Sequence, residues 1–228
     1  MQHEHFNQHL FQALTQAGLE PVSFRERLDL GSLTREIDLS ATLPGREWPT
    51  RVVAEFSYFW SAADTARSYG AVDSDPLGEV VDLTCTLKYS PLEEEYTMQV
   101  ADINKLREFL RALVERLPPA LKDERGGNTA EVHLLMGEDN DVLLYGPILY
   151  QLNQVVDVSE DEEEDEDGNS LSERDLDATL RDLAADALRG LMALDAIQPP
   201  DGLFTPLPDE DEDEDYAEDD EEEEDDED

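Results

Sequence analysis

The last twenty residues, Asp209 to Asp228, constrain the folding of this chain more than any other stretch. Only Tyr216 and Ala217 among them are not Asp or Glu. A second run, Glu160 to Asp167, holds eight consecutive carboxylates, and the two runs together hold 26 of the chain's 59 acidic residues. A protein interior cannot accommodate so many unpaired like charges, because each carboxylate loses its hydration when it is buried. We therefore predict that both runs are solvated and disordered beside a packed domain.

The remaining 200 residues can still form a folded unit. They hold 33 acidic and 16 basic side chains, so they are acidic too, and 39% of the chain is apolar. This content suits one globular domain, with or without a docked helix. Acid that serves only solubility or high-salt adaptation is the alternative interpretation of the charge. Adaptation to salt would spread the carboxylates over the whole surface, whereas almost half of them lie in 28 positions.

Cysteine usage and hydropathy bear on the compartment. Cys85 is the chain's one cysteine, so an internal disulfide is excluded and a reducing compartment is favoured. The segments Met1 to Phe11 and Ala187 to Ile197 are too short or too polar for a secretory signal or a membrane span. We expect a cytoplasmic protein that does not bind membranes.

The apolar periodicity predicts an α+β fold, in which helices pack on a mainly antiparallel sheet of about six to seven strands. Ile37, Leu39 and Ala41 alternate with polar residues, which is typical of a strand with one buried face. In chain order, the predicted elements are a helix over Glu4–Ala17, strands over Val22–Leu30, Arg35–Leu43 and Thr50–Trp60, a short helix over Ser61–Tyr69, a hairpin of Glu79–Tyr89 and Tyr96–Val100, a helix from Asp102 to Leu117, a hairpin of Glu131–Met136 and Val142–Tyr150, and a last helix from Ser172.

Four segments follow from this pattern. Residues 1–150 form the globular domain, 151–170 the disordered acidic linker, 171–197 an amphipathic helix, and 198–228 a proline-containing connection with the disordered polyacidic tail. The leucine stripe of the amphipathic helix needs a cover, which is either this domain or a partner. Docking on the domain is the expectation, because an exposed leucine stripe promotes aggregation.

The order of the elements is similar to that of the type III secretion chaperone family. Members of that family are acidic and follow a helix with three strands, a helix, two strands and a helix. This chain would add one helix and one hairpin to that layout. The similarity is one of element order, and no residue motif carries it.

Histidines and carboxylates suggest two metal sites, and both lack ligands. His5 and His9 are spaced to share one face of a helix, with His3 nearby, but no third ligand from elsewhere in the chain is indicated. The residues Glu163, Asp165, Asp167 and Gly168 match the first half of a calcium-binding loop, and Arg174 replaces its bidentate glutamate. We expect no dedicated metal site and no cofactor.

No local motif predicts an enzyme. Cys85 and His133 would make a thiolate and base pair only if the fold brought them together, and Cys85 lies in the apolar phase of its strand. An inert core thiol is therefore the favoured interpretation. The glycines form neither a phosphate-binding loop nor a dinucleotide fingerprint, and no serine elbow is present.

Six of the sixteen basic residues lie in and just after the helix that begins at Asp102. They are Lys105, Arg107, Arg111, Arg116, Lys122 and Arg125. A solvated face paired with Glu108 and Glu115 explains them without any function. The alternative hypothesis is that an acidic run rests on this basic patch until a cationic partner displaces it.

A net charge of −43 repels nucleic acid and anionic membranes and attracts cationic molecules. We therefore expect a non-enzymatic binding protein of chaperone, inhibitor or immunity type that recognises a basic protein partner. The candidate partner-binding residues are Glu160, Asp161, Glu162, Glu163, Asp209, Glu210, Asp211, Glu212 and Asp213. One alternative is a DNA mimic that blocks a nucleic-acid-binding protein, and another is an enzyme without a local motif. The oligomeric state is left open.

Overall fold

The computed structural model describes residues 3–29, 31, 34–47, 49–60, 80–92, 96–117, 130–137, 141–157 and 171–207. The predicted helix Ser61–Tyr69 and both acidic runs lie outside these ranges. Within them the chain forms three helices and eight strands, in this order: α1 His3–Ala17, β1 Glu20–Asp29, β2 Thr34–Thr42, β3 Val52–Trp60, β4 Val80–Tyr89, β5 Thr97–Val100, α2 Ile103–Arg116, β6 Ala130–Met136, β7 Val142–Asp157, α3 Leu171–Asp195 and β8 Phe204–Pro206.

The eight strands form one curled antiparallel sheet, which confirms the predicted α+β class. Its order is β1-β2-β3-β4-β7-β5-β8, and β6 pairs with β7. The register places Ile37 opposite Tyr58, and Phe56 opposite Cys85, so that apolar side chains of neighbouring strands share one face. This alternation is what gives β2, β3 and β4 one buried face each.

The core lies between this face and the helices. Phe6 of α1 contacts Tyr58, with ring centroids 4.8 Å apart, and Phe109 of α2 lies 5.9 Å from the ring of Tyr89. Helix α3 packs against α1 and onto β3, β4 and β7. The apolar side chains that α3 buries are Leu176, Leu180, Leu183, Ala184, Ala187, Leu191 and Leu194.

Local signals define the ends of the helices. Gly18 has φ +93°, its N–H donates to the carbonyl of Thr15 at 3.1 Å, and the N–H of Leu19 donates to the carbonyl of Leu14 at 3.0 Å. This pattern is the Schellman motif, which requires a left-handed residue and so favours glycine. The carboxylate of Asp102 accepts the N–H of Asn104 at 2.8 Å and caps α2.

The predicted hairpin of β4 and β5 is wrong. β4 pairs with β3 and β7, and β5 pairs with β7 and β8. Tyr89 lies opposite Ile148, and Thr97 lies opposite Tyr145, so β4 and β5 follow one another along the same edge of β7. Both strands run antiparallel to β7, so β5 continues in the direction of β4.

The long strand β7 also shortens the predicted linker. It continues to Asp157, seven residues beyond the predicted end at Tyr150, and pairs with β4 as far as Val80. The residues Gln151 to Val156 include no charged side chain, and β4 offers them a full ladder of backbone hydrogen bonds. Near the C-terminal end of the described chain, β8 lies in segment 198–228, which was predicted only as a connection and a tail.

Candidate binding surface

The three helices leave the second face of the sheet without a helical cover in the part of the chain that the structure describes. We call this the open face. Across its centre, Arg25, Asp38, Ser57 and Thr84 lie opposite one another on β1 to β4. The apolar positions of these alternating strands build the core, and the polar positions between them build this surface.

Three ion pairs lie on the open face. Arg25 Nη2 lies 2.6 Å from Oδ2 of Asp38, and the hydrogen bond to that carboxylate raises the pKa of the guanidinium. Lys88 Nζ lies 2.8 Å from Oε2 of Glu55. Arg27 and Glu36 form a third pair. Asp82, in the same phase of β4 as Thr84 and Lys88, is exposed and has no such partner among the described residues.

A cleft of about 410 Å³ occupies the open face between β3, β4 and the start of β7. Hydroxyl, amide and aromatic groups dominate its lining, together with the Glu55–Lys88 pair. The lining residues are Glu55, Ser57, Thr84, Thr86, Lys88, Tyr96, His133, Tyr145, Gly146, Pro147, Leu149 and Gln151. Such a lining offers hydrogen bonds and ring surfaces, which suit a polar or extended polypeptide ligand.

A bulge in β7 builds the aromatic wall of the cleft. Gly146 has φ +74°, and its N–H donates to the carbonyl of Tyr96 at 2.7 Å. The pairing of β6 with β7 shifts at the same point. Glu131 faces Leu149 but His133 faces Tyr145, so β7 has extra residues there, as in a bulge. The rings of Tyr96 and Tyr145 consequently meet edge to face, with centroids 4.7 Å apart.

The fold keeps Cys85 and His133 apart. Cys85 is fully buried on the helix side of the sheet, and burial raises the pKa of its thiol. His133 lines the cleft on the other side, where its Nε2 lies 3.2 Å from Oε1 of Glu131. They do not form a nucleophile and base pair.

The N-terminal histidines do not converge either. Nδ1 of His9 lies 2.7 Å from Oδ1 of Asp177, which joins α1 to α3, whereas His5 is exposed. The described residues contain no group of three or more metal-ligating side chains. The calcium-loop residues Glu163 to Gly168 lie outside them.

Four members of the predicted basic patch, Lys105, Arg107, Arg111 and Arg116, are exposed on α2, while Lys122 and Arg125 lie outside the described residues. Helical spacing places Arg107 and Arg111 on one flank of α2 and the other two on the opposite flank. No ion pair joins these four to Glu108, Glu115 or any other residue that the structure describes.

The predicted partner-binding residues, Glu160 to Glu163 and Asp209 to Asp213, lie outside the described ranges, but the points where the runs join the fold are within them. One run follows β7, which ends at Asp157, and the other follows β8, where Pro206 lies beside Met98 and Met98 beside Leu144. Leu144 and Asp157 lie near the opposite ends of β7.

No protein-family model, curated protein or solved structure matches this chain. None of the described helices has both the length and the apolar character needed to cross a membrane. The sequence predicts partner binding by the acidic runs, a prediction that the described residues do not test, and it does not predict the open face. The sequence signal for this face is the run of hydroxyl residues at the polar positions of β3 and β4. Ser57 lies opposite Thr84, and Thr86 lies two residues further along β4.

Proposed function

We propose that this chain is a non-enzymatic binding protein that recognises a basic protein, as a chaperone, inhibitor or immunity protein does. A net charge of −43, with 26 carboxylates in two runs, supports this proposal. Such a field raises the rate at which cationic proteins are encountered and repels nucleic acid.

The observation that carries the proposal is the contrast between the open face and the runs. The open face has paired charges and a cleft lined by hydroxyl, amide and tyrosine groups, which suits short-range contacts. The acidic runs are joined to the fold near the two ends of β7, the strand that forms one side of this cleft. A basic protein held on this face would therefore have polyanionic segments attached on either side of it.

A DNA mimic is the second candidate function. Extended residues rise about 3.3 Å each, close to the roughly 3.4 Å between phosphates along one DNA strand. Eighteen carboxylates in the twenty residues from Asp209 to Asp228 would imitate one strand's charge. In that case the terminal run supplies the binding energy, and the open face does not.

The two functions are distinguished by deleting the terminal run. The full chain and a chain that ends at Pro208 are each used to capture partners from native lysate at low and near-physiological ionic strength. A binding protein retains the same basic partner in both forms and associates more slowly without the run, because steering acts mainly on the association rate.

A mimic loses its partner on truncation, and added DNA competes for that partner. If neither the full chain nor the truncated chain retains a basic protein at near-physiological ionic strength, both candidates are contradicted. A control chain with Tyr96→Ala and Tyr145→Ala keeps the runs and changes the cleft wall, so loss of the partner with this variant assigns the contact to the open face.

A further inference from the structure

Three strands, β1, β6 and β8, are each paired along one edge only among the described residues, and β8 is three residues long. An unpaired strand edge exposes a row of backbone N–H and C=O groups that another chain can pair with. Proteins usually protect such edges with charged side chains. The two longer edge strands, β1 and β6, are therefore compared by the side chains that they expose.

Charges protect the edge of β1. Arg25 and Arg27 project from one side of the strand and are paired with acids of β2. On the other side, Glu26 separates Phe24 from Leu28 and lies 3.2 Å from Arg35. Although Phe24 is 53% exposed, no two neighbouring positions of this segment are both apolar.

The edge of β6 has no such protection. Three consecutive apolar side chains are exposed there: Leu134 by 40%, Leu135 by 48% and Met136 by 68%. Because neighbouring side chains of a strand point to opposite faces, this edge is apolar on both faces. Tyr145 lies opposite His133 on the next strand and is also 43% exposed, so the apolar area continues onto β7.

Backbone groups of β6 are available at the same positions. The N–H of Gly137 donates to the carbonyl of Asp141 at 2.8 Å. Pairs alternate between bonded and non-bonded in an antiparallel ladder, so Leu135 bonds to β7 and the groups of Leu134 and Met136 point away from it. Within the part of the chain that the structure describes, the outward N–H and C=O groups of Leu134 and Met136 thus have no strand partner.

The formally charged side chains of β6 and β7 are all acidic. The sequence contains no Lys or Arg between Gly126 and Glu173, a stretch that includes all of β6 and β7. Glu131 and Asp141 lie at the two ends of the apolar run and are exposed. An occupant with apolar residues between lysines or arginines would satisfy both features. A second copy of the chain would bring another −43 charges to the same place, which opposes self-association.

We propose that the free edge of β6 binds an extended, cationic segment of the basic partner as an added β-strand. The backbone of that segment pairs with Leu134 and Met136, its apolar side chains cover the apolar run, and its basic residues lie near Glu131 and Asp141. This inference rests on the proposed function and specifies where and in what conformation the partner is held.

The probe is a nine-residue peptide of alternating Lys and Val, compared with the same peptide N-methylated at every peptide bond, which blocks both of its edges. Both peptides carry the same charge, and only the unmodified one can pair along a strand edge. We expect the unmodified peptide to bind the full chain about tenfold more tightly, as the loss of one or two backbone hydrogen bonds implies. It should also slow hydrogen exchange at the amides of Leu134 and Met136.

Two matched variants locate the edge. Leu135→Lys with Met136→Lys should abolish the difference between the peptides, whereas Phe24→Lys with Leu28→Lys, which adds the same charge to β1, should leave it intact. Equal binding of both peptides to the unmodified chain, or protection of β1 amides instead, overturns this inference while leaving the proposed function standing. If neither peptide binds at near-physiological ionic strength, the proposed function itself fails.

Discussion

At the scale of single residues, three buried tyrosines show how differently one hydroxyl can be accommodated. Tyr58 donates its hydrogen bond to the side-chain oxygen of Asn7, and Tyr89 donates to the carbonyl of Ile197 at 3.0 Å. The hydroxyl of Tyr150 is buried without a hydrogen-bond partner among the described residues. A buried polar group without a partner costs free energy of folding, so Tyr150 reduces the stability that its ring contributes.

Replacing each hydroxyl by hydrogen tests this difference. Tyr58→Phe should lower the free energy of unfolding by about 1 kcal/mol, because it removes a hydrogen bond and leaves Asn7 unpaired. Tyr150→Phe should leave it unchanged or raise it slightly, because no bond is lost. Urea denaturation of both variants measures the two changes, and an equal loss in both would show that Tyr150 does have a partner.

At the scale of elements, α3 determines how much of the chain belongs to the core. The sequence left two possibilities for its leucine stripe, a cover within this chain or a partner. The structure buries Leu180 and Leu191 completely against the sheet and α1. An ion pair between Arg46 and Asp195 holds the end of this helix to the turn between β2 and β3. Just after the helix, Gln198 accepts a hydrogen bond of 2.5 Å from Nη1 of Arg51, which immediately precedes β3.

Removing one leucine should therefore destabilise the whole fold. Leu191→Ala should lower the free energy of unfolding by about 2–5 kcal/mol, because it leaves a cavity in the core. The neighbouring Met192 is 58% exposed, and Met192→Ala serves as a control with a change of less than about 0.5 kcal/mol. A small effect of Leu191→Ala on thermal or urea unfolding would indicate that α3 is not part of the cooperative unit.

The sequence predicted elements better than it predicted their partners. β2, β3 and β4 were predicted within three residues because alternation reports a buried face directly. The pairing of β5 could not be predicted in the same way, since it depends on β7, more than forty residues further along. β8 was missed because three residues are too few to show a period. The open face required knowing which strands are neighbours, and only pairing reveals that.

At the scale of the whole molecule, the charge is divided by position. The described sheet pairs several of its basic residues with acids, whereas the two runs consist almost entirely of carboxylates. The buried titratable groups among the described residues are tyrosines and a cysteine, which burial keeps neutral, and Arg35, which lies 3.2 Å from Glu26. Burial raises the pKa of Tyr89 from 10.0 to about 12, and it raises the pKa of Tyr58 and Tyr150 as well.

These pKa shifts predict an alkaline limit to stability. A tyrosine whose folded pKa lies above its unfolded value binds its proton more tightly in the folded state, so its contribution to stability is complete below pH 10.0. That contribution should fall as the pH rises towards about 12. The denaturation midpoint should decrease as the pH rises through this range. Absorbance should show that the buried tyrosines become phenolates only as the protein unfolds. Phenolate formation by these tyrosines in a still-folded protein would contradict the prediction.

The bulge at Gly146 allows a single strand to serve two others in succession along one edge. Because β4 and β5 are each paired with β7 and not with each other, the segment between Tyr89 and Thr97 does not need a fixed length to keep them in register. Insertions or deletions before Tyr96 leave the two tyrosines of the cleft in place, because the N–H of Gly146 donates to the carbonyl of Tyr96 and Tyr145 lies on β7. Changes of length at this point are therefore expected to be tolerated at little cost to folding.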